Sequence, residues 1–175
     1  DIPLNPKDVR RLTFAGGIMK MDVAQDVVVK VWSDGIFGVG MTPTAAPYLG
    51  QVQSTVSAAA KYLAGTLLGI DPFRIEYINQ LMDWNLPGHE PAKCAIDMAL
   101  YDLKGKITGR PVYDLLGGKR RDSFVSTISL AAQEPGEMAE WARMRYDMGF
   151  RGLEVHLGDA PGSGVDRDVR RMEAV

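Results

Sequence analysis

The stretch that most constrains the fold is Glu90–Gly118, EPAKCAIDMALYDLKGKITGRPVYDLLGG. Apolar residues recur at Ala92, Ile96, Ala99, Leu103 and Ile107, with Ala95 and Leu100 beside them. That period is helical, and it gives the helix one face that must be buried against other elements. Pro91 suits the first turn, where a missing N–H is harmless. Lys104 and Lys106 complement the negative end of the helix dipole. Gly109 supplies a left-handed stop, and Pro111 forbids continuation. A short helical turn over Val112–Leu116 then closes at Gly117-Gly118.

The chain upstream supplies partners for that face. Asp26–Trp32, DVVVKVW, reads as a strand, Ser33-Asp34-Gly35 as a tight turn, and Ile36–Gly40 as the returning strand. Gln51–Leu68 reads as a helix with Val52, Val56, Ala59, Ala60, Leu63 and Leu67 on one side, stopped by Gly69. Asp71-Pro72 is the expected N-cap of a helix over Pro72–Trp84, broken at Leu86-Pro87-Gly88. Asp1–Arg11 reads as extended. Thr13–Met21, TFAGGIMKM, reads either as a mobile surface loop or, since its Gly16-Gly17 pair would let it move over a site, as a lid. Thr42–Gly50, TPTAAPYLG, reads as a proline-bearing loop.

After Gly118 the pattern changes. Lys119–Asp122 is a charged connector. Phe124–Ala131 reads as a strand, Glu134–Met148 as a helix carrying Met138, Trp141, Ala142 and Tyr146, and Gly152–Leu157 as a second strand. The loop Gly158–Gly164 leads to a charged helix over Asp166–Val175. Strand and helix alternating at this spacing predict a parallel βαβ unit. Two parallel strands cannot cover both of their own faces, so this unit is expected to belong to a larger sheet.

Composition matters in three places. A net charge of −2 offers no basic surface, so neither a nucleic-acid nor a membrane partner is expected. The single cysteine, Cys94, excludes a disulfide framework, reads as a small core residue of the long helix, and fits a reducing, cytoplasmic compartment. No run approaches the roughly 18 apolar residues of a spanning helix, and DIPLNPKDVRR lacks the apolar run of a signal peptide. The missing initiator methionine is expected to reflect trimming. Of the two histidines, His89 stands before the long helix as an expected structural hydrogen-bonder. Asp97 and Asp102, five apart, cannot share a helix face as a metal pair, and the same role is expected for them.

AKCAIDMALYDLKGKITGRPVYDLLGG resembles the end of the N-terminal capping domain in the mandelate racemase/muconate lactonizing enzyme group of the enolase superfamily. The shared pattern is a small residue, an apolar residue, Ile or Leu, Asp, one variable residue, Ala, Leu or Cys, Trp or Tyr, and Asp. Gly-Lys, Gly-x-Pro and Leu-Leu-Gly-Gly follow. MDWNLPGHEPAK resembles the hydroxyproline dehydratase and proline-betaine epimerase branch more than the muconate branch. The resemblance implies an α+β capping domain over residues 1–118. It implies that residues 119–175 begin a (β/α)8-type barrel, incomplete here because such a barrel needs about 250 residues. A first strand of the capping sheet would precede Asp1. Thr13–Met21 would be a specificity loop with Phe14, Ile18 and Met19 as substrate contacts, and Thr42–Gly50 a second one with Tyr48. The family commonly continues the hairpin with Gly-x-Gly-Glu, and here Met41 stands at the glutamate position.

The family's second barrel strand usually ends in Lys-x-Lys, where the second lysine removes the α-proton of a carboxylate substrate. GFRGLEVHLG aligns with that motif, with Glu154 and His156 at the lysine positions. Strand alternation puts both on one face. If that face is the barrel interior, His156 is the candidate base, and Glu154 would stabilise an imidazolium rather than repel it. The resemblance further implies Mg2+, held by carboxylates on later strands and so by no residue of this chain. It also implies a small-molecule carboxylate substrate and a homo-oligomer. Three readings follow: a section of a metal-dependent racemase, epimerase or dehydratase, leaning to a hydroxyproline or proline-betaine substrate; a repurposed, non-catalytic relative marked by Met41, Glu154 and His156; or a truncated product that acts through another chain.

Overall fold

The computed structural model describes the chain apart from residues 1, 4–9, 15–16, 22, 45, 131–132 and 159–164; for residues 2–3, 10–14, 17–21 and 47–48 it describes the backbone alone. The chain divides into two compact units. The first is Ala24–Arg120 with Ile2, and the second is Arg121–Val175 with the described residues of Pro3–Val23.

The chain begins with β1 (Ile2–Pro3), β2 (Arg10–Phe14), β3 (Gly17–Met21) and β4 (Val23–Ala24). β1 pairs with β4, and β2 pairs antiparallel with β3 from Arg10↔Met21 to Phe14↔Gly17. Thr13–Met21 is therefore a hairpin arm rather than the expected loop. Phe14 and Ile18 are good strand formers, and residues 15–16 lie outside the described residues.

β5 (Asp26–Ser33) and β6 (Ile36–Pro43) form the second hairpin, in register from Asp26↔Pro43 to Ser33↔Ile36. Its turn is Asp34-Gly35, with φ of 49° and 80°, the left-handed pair that matches strand twist. Val27, Val29 and Val31 point inward, opposite Thr42, Gly40 and Gly38. β6 runs through Pro43, and Ala46–Leu49 (α1) is a helical turn, so Thr42–Gly50 is less a loop than the sequence suggested.

Three helices cover the inner face: α2 (Gln53–Leu67), α3 (Ile75–Asn85) and α4 (Glu90–Thr108); α5 (Val112–Leu115) follows. Val56, Leu63, Ile78, Met82, Ala92, Ile96 and Leu100 are buried among them. α4 lies directly on β6. A Cβ at Gly40 would overlap the Ala95 carbonyl, and one at Gly38 the Ala99 carbonyl, so only glycine permits this approach. Asp102 Oδ2 accepts the Val39 N–H at 2.7 Å, while Lys106 Nζ donates to the Phe37 carbonyl at 2.9 Å and to Asp102 at 2.6 Å. Asp97 accepts from Asn79 Nδ2 at 2.8 Å, so both aspartates take the hydrogen-bonding role expected of them.

Three local expectations need correction. Cys94 is exposed, with its Sγ 3.9 Å from Met98 Sδ, because the buried face of α4 passes through 92, 95, 96, 99, 100 and 103 and misses 94. Ile107 is 38% exposed and Lys93 is buried, its ammonium 2.7 Å from Asp83. Asp71 does not cap α3. It accepts the Phe73 N–H at 2.9 Å and organises a turn, and the helix begins four residues later at Ile75. Gly109 stops α4 as read, in the left-handed conformation at φ 65°.

The second unit contains β7 (Ile128–Leu130), α6 (Pro135–Asp147), β8 (Leu153–Val155) and α7 (Asp166–Ala174). β7 and β8 are parallel, with Ile128↔Leu153, Ser129↔Glu154 and Leu130↔Val155. Both strands are shorter than Phe124–Ala131 and Gly152–Leu157, because pairing extends only where each meets the other; Phe124 and Val125 are 85% and 84% exposed. Leu130, Met138 and Ala142 are buried together, with Trp141, Leu153 and Val155 against them. No described helix is long and apolar enough to cross a membrane.

Candidate functional site

The two faces of the β7–β8 pair are chemically opposite. Leu130, Leu153 and Val155 pack with α6. Alternation sends Ser129, Glu154 and His156 to the other face. The register sets Ser129 across from Glu154, and its hydroxyl donates to Glu154 Oε2 at 2.8 Å. Glu154 Oε1 lies 3.9 Å from His156 Nε2. The Glu154 side chain is 63% exposed and that of His156 26%. His156 stands just past the strand, but its N–H still bonds the Leu130 carbonyl at 2.9 Å. The group therefore sits at the carboxyl ends of parallel strands, where sites of α/β proteins are built.

Beyond the strand ends the backbone is held from α7. Asp168 accepts the Gly158 N–H on both oxygens, at 3.1 and 3.0 Å, and is bonded by Arg171 Nη1 at 2.7 Å. The Arg171 hydrogen bond, then the Gly158 N–H, hold the Asp168 carboxyl below its ordinary value. Arg171 Nε also donates to the Gln133 carbonyl at 2.6 Å.

This arrangement can move a proton. An imidazole can accept one, and the serine hydroxyl holds the neighbouring carboxylate in place. It does not fit Mg2+, which takes a near-octahedral set of oxygens, because Glu154 and His156 offer one carboxylate and one nitrogen. Among the described residues no group of three or more His, Cys, Asp or Glu could hold a metal ion.

The other expected site residues fall elsewhere. Phe14, Ile18 and Met19 lie on β2 and β3, which group with the second unit, and Tyr48 lies on α1; the side chains of all four are outside the described residues. Met41 is 46% exposed, on the face of β6 away from α4. His89 starts α4 through its carbonyl, which accepts from Ala92 and Lys93, and its backbone is left-handed at φ 59°. Its Nδ1 is buried and finds no hydrogen-bond partner among the described residues. A cavity of about 590 Å3 in the first unit runs along the outer edge of β5 toward Leu67, Ile70 and Leu100. Its polar lining, Lys30, Ser33 and Asp71, contains no paired nucleophile and base. Ser129, Asp168 and Arg171 were not legible as site residues. Their roles depend on parallel register and on a helix reaching back, and neither leaves a periodic trace.

Residues 6–117 match the family described as "Mandelate racemase / muconate lactonizing enzyme, N-terminal domain". The chain is 34% identical over 151 residues to N-succinyl-L-Arg/Lys racemase of Bacillus cereus, covering 85% of this chain and 40% of that protein. It is 32% identical over 169 residues to cis-3-hydroxy-L-proline dehydratase of Roseibium aggregatum, covering 95% and 45%. The structure of a dipeptide epimerase from Enterococcus faecalis V583, complexed with Mg and the dipeptide L-Leu-L-Tyr, superposes with a TM-score of 0.82 at 28% identity, over 95% of this chain and 46% of that one. The chain thus spans less than half the length of these relatives. With the match running across the first hairpin, the second hairpin and all the helices up to Gly117, the chain belongs to the mandelate racemase/muconate lactonizing enzyme family.

Proposed function

We propose that this chain is the capping domain and first barrel strands of a metal-dependent enzyme. That enzyme removes the α-proton of a small carboxylate substrate, as a racemase, epimerase or dehydratase. The observation that carries this reading is the Ser129–Glu154–His156 group on the face of β7–β8 turned away from α6. His156 Nε2 takes the proton, Glu154 stabilises the imidazolium, and Ser129 keeps Glu154 in place. The positive charge that the resulting enediolate requires is not supplied by these residues. Mg2+, present in the E. faecalis relative, is assigned to the complete protein on residues outside this chain. Of the hydroxyproline or proline-betaine lean, the hydroxyproline side draws support from similarity to the R. aggregatum dehydratase.

The test is solvent exchange. The complete protein is incubated in D2O with Mg2+ and cis-3-hydroxy-L-proline, N-succinyl-L-arginine or L-Leu-L-Tyr, and deuterium at the α-carbon is read by mass spectrometry. His156→Ala is expected to lower incorporation by at least about 100-fold. Undiminished incorporation in that variant removes His156 as the base. A second reading, a repurposed relative without proton transfer, is favoured by the carboxylate where the family has its first lysine. It gains if the unaltered protein incorporates no deuterium from any such acid.

A further inference from the structure

Among the described residues of Arg121–Val175 one charged side chain, Arg171, is buried, and its hydrogen bonds lead to the segment that carries the candidate base. The Arg171 side chain is 2% exposed. A guanidinium persists in that setting only when its donors are satisfied, and removing one partner from such a pair is costly. Two of its partners matter here: the Gln133 carbonyl, three residues past β7, and Asp168, which holds the Gly158 N–H, two residues past His156. The His156 N–H closes the circuit on the Leu130 carbonyl. The segment bearing the imidazole is therefore fixed at both ends: at its start by β7 and at its end by α7. Gly158, at φ 92°, makes the turn that brings its N–H to Asp168. Apolar packing could bury the same area without orienting the backbone. Charge-assisted hydrogen bonds to two strand ends do orient it.

We infer that Asp168 and Arg171 are positioning residues for His156, holding the ends of β7 and β8 together so that the imidazole stays beside Glu154. The role rests on His156 being the base proposed above. The test reads the imidazole itself, so it succeeds or fails whether or not His156 takes an α-proton.

The chain has two histidines, and His89 lies in the other unit, which makes it an internal reference. The complete protein and its variants are treated with diethyl pyrocarbonate, and the carbethoxylation rates of His156 and His89 are followed separately by peptide mass spectrometry. Asp168→Ala is expected to raise the His156 rate on the order of tenfold relative to His89, the effect of losing a charge-assisted contact from a local closed state. Arg171→Met should raise it less, because Asp168 still holds Gly158. Arg171→Lys should fall between Arg171→Met and the unaltered protein, since lysine keeps a donor but loses the planar fork. If Asp168→Ala does not fold, Asp168→Asn, which keeps an acceptor oxygen without the charge, carries the same test with a smaller rise. An unchanged His156 to His89 ratio overturns the inference. Equal acceleration at both histidines overturns it too, because that reports general loosening rather than a hold on one loop.

Discussion

The two units are held together by different physics. In Ala24–Arg120 a helix lies against a strand because Gly38 and Gly40 have no side chain to keep it away, and a continuous apolar core from α2, α3 and α4 closes beneath. Among the described residues of Arg121–Val175 three apolar residues are buried, and the largest buried side chain is an arginine. Apolar packing decides where an element lies, while hydrogen bonds to backbone ends decide where a single side chain points. The first unit is built for the former and the second for the latter.

The largest effect should come from adding atoms where the first unit has least room. At Gly40 a new Cβ meets the Ala95 carbonyl and the Ala99 backbone nitrogen, and neither is a flexible side-chain end that can yield. Gly40→Val should therefore cost more than about 4 kcal/mol and unfold the first unit, because α4 must lift from β6. Chemical denaturation followed by Trp32 and Trp84 fluorescence would show it. A loss under about 1 kcal/mol would mean that the helix–strand contact is not what locks this unit.

Removing atoms sharpens the contrast at a smaller scale. Leu63 and Met138 are each almost completely inaccessible, but Leu63 belongs to a cluster of six buried residues and Met138 to one of three. Leu63→Ala should cost about 3 kcal/mol or more and Met138→Ala about 2, because a small cluster collapses more readily around a void. Hydrogen exchange resolved by unit would separate them. If Met138→Ala proves the costlier, the apolar share of the second unit has been undervalued.

The same division explains what could be read from the residues alone. The period of α4, its stop at Gly109, the β5–β6 hairpin and the βαβ order all rest on local pattern, and they stand. Cys94 was misplaced because helical period gives a stripe, while the true buried face is broad enough to include Lys93 and narrow enough to miss 94. Thr13–Met21 read as a loop because a glycine pair signals mobility and a hairpin connection equally well. Glu154 and His156 were legible by alternation within one strand. Ser129 was not, since its partner comes from the neighbouring strand, and neither were Asp168 and Arg171, whose roles belong to the tertiary structure.

Among the described residues each unit contains one aspartate held below its ordinary value, and acid should part them. Asp168 is lowered by the Arg171 hydrogen bond and then the Gly158 N–H; Asp102 is lowered by the Lys106 hydrogen bond and also by the Val39 N–H, with burial opposing. A folded-state value below the unfolded one, about 3.9, means that the stabilisation is complete above that value and disappears as pH falls through the lowered one. The two pairs differ in their exposure to water. Asp168 is 21% exposed against an arginine at 2%, while Asp102 is 36% exposed against a lysine at 44%, so solvent screens the second pair more. Each carboxylate bonds a backbone N–H that reports on it, Gly158 for Asp168 and Val39 for Asp102. Titrating those two amide protons by NMR from pH 7 to pH 2 should show both keeping their hydrogen-bonded shifts below the ordinary carboxylate range, with Gly158 keeping its shift to lower pH. Asp168→Asn should flatten the Gly158 titration and leave that of Val39 intact. If Val39 outlasts Gly158, the buried guanidinium is not the stronger hold, and the contrast between a unit locked by packing and a unit locked by charge fails at its most specific point.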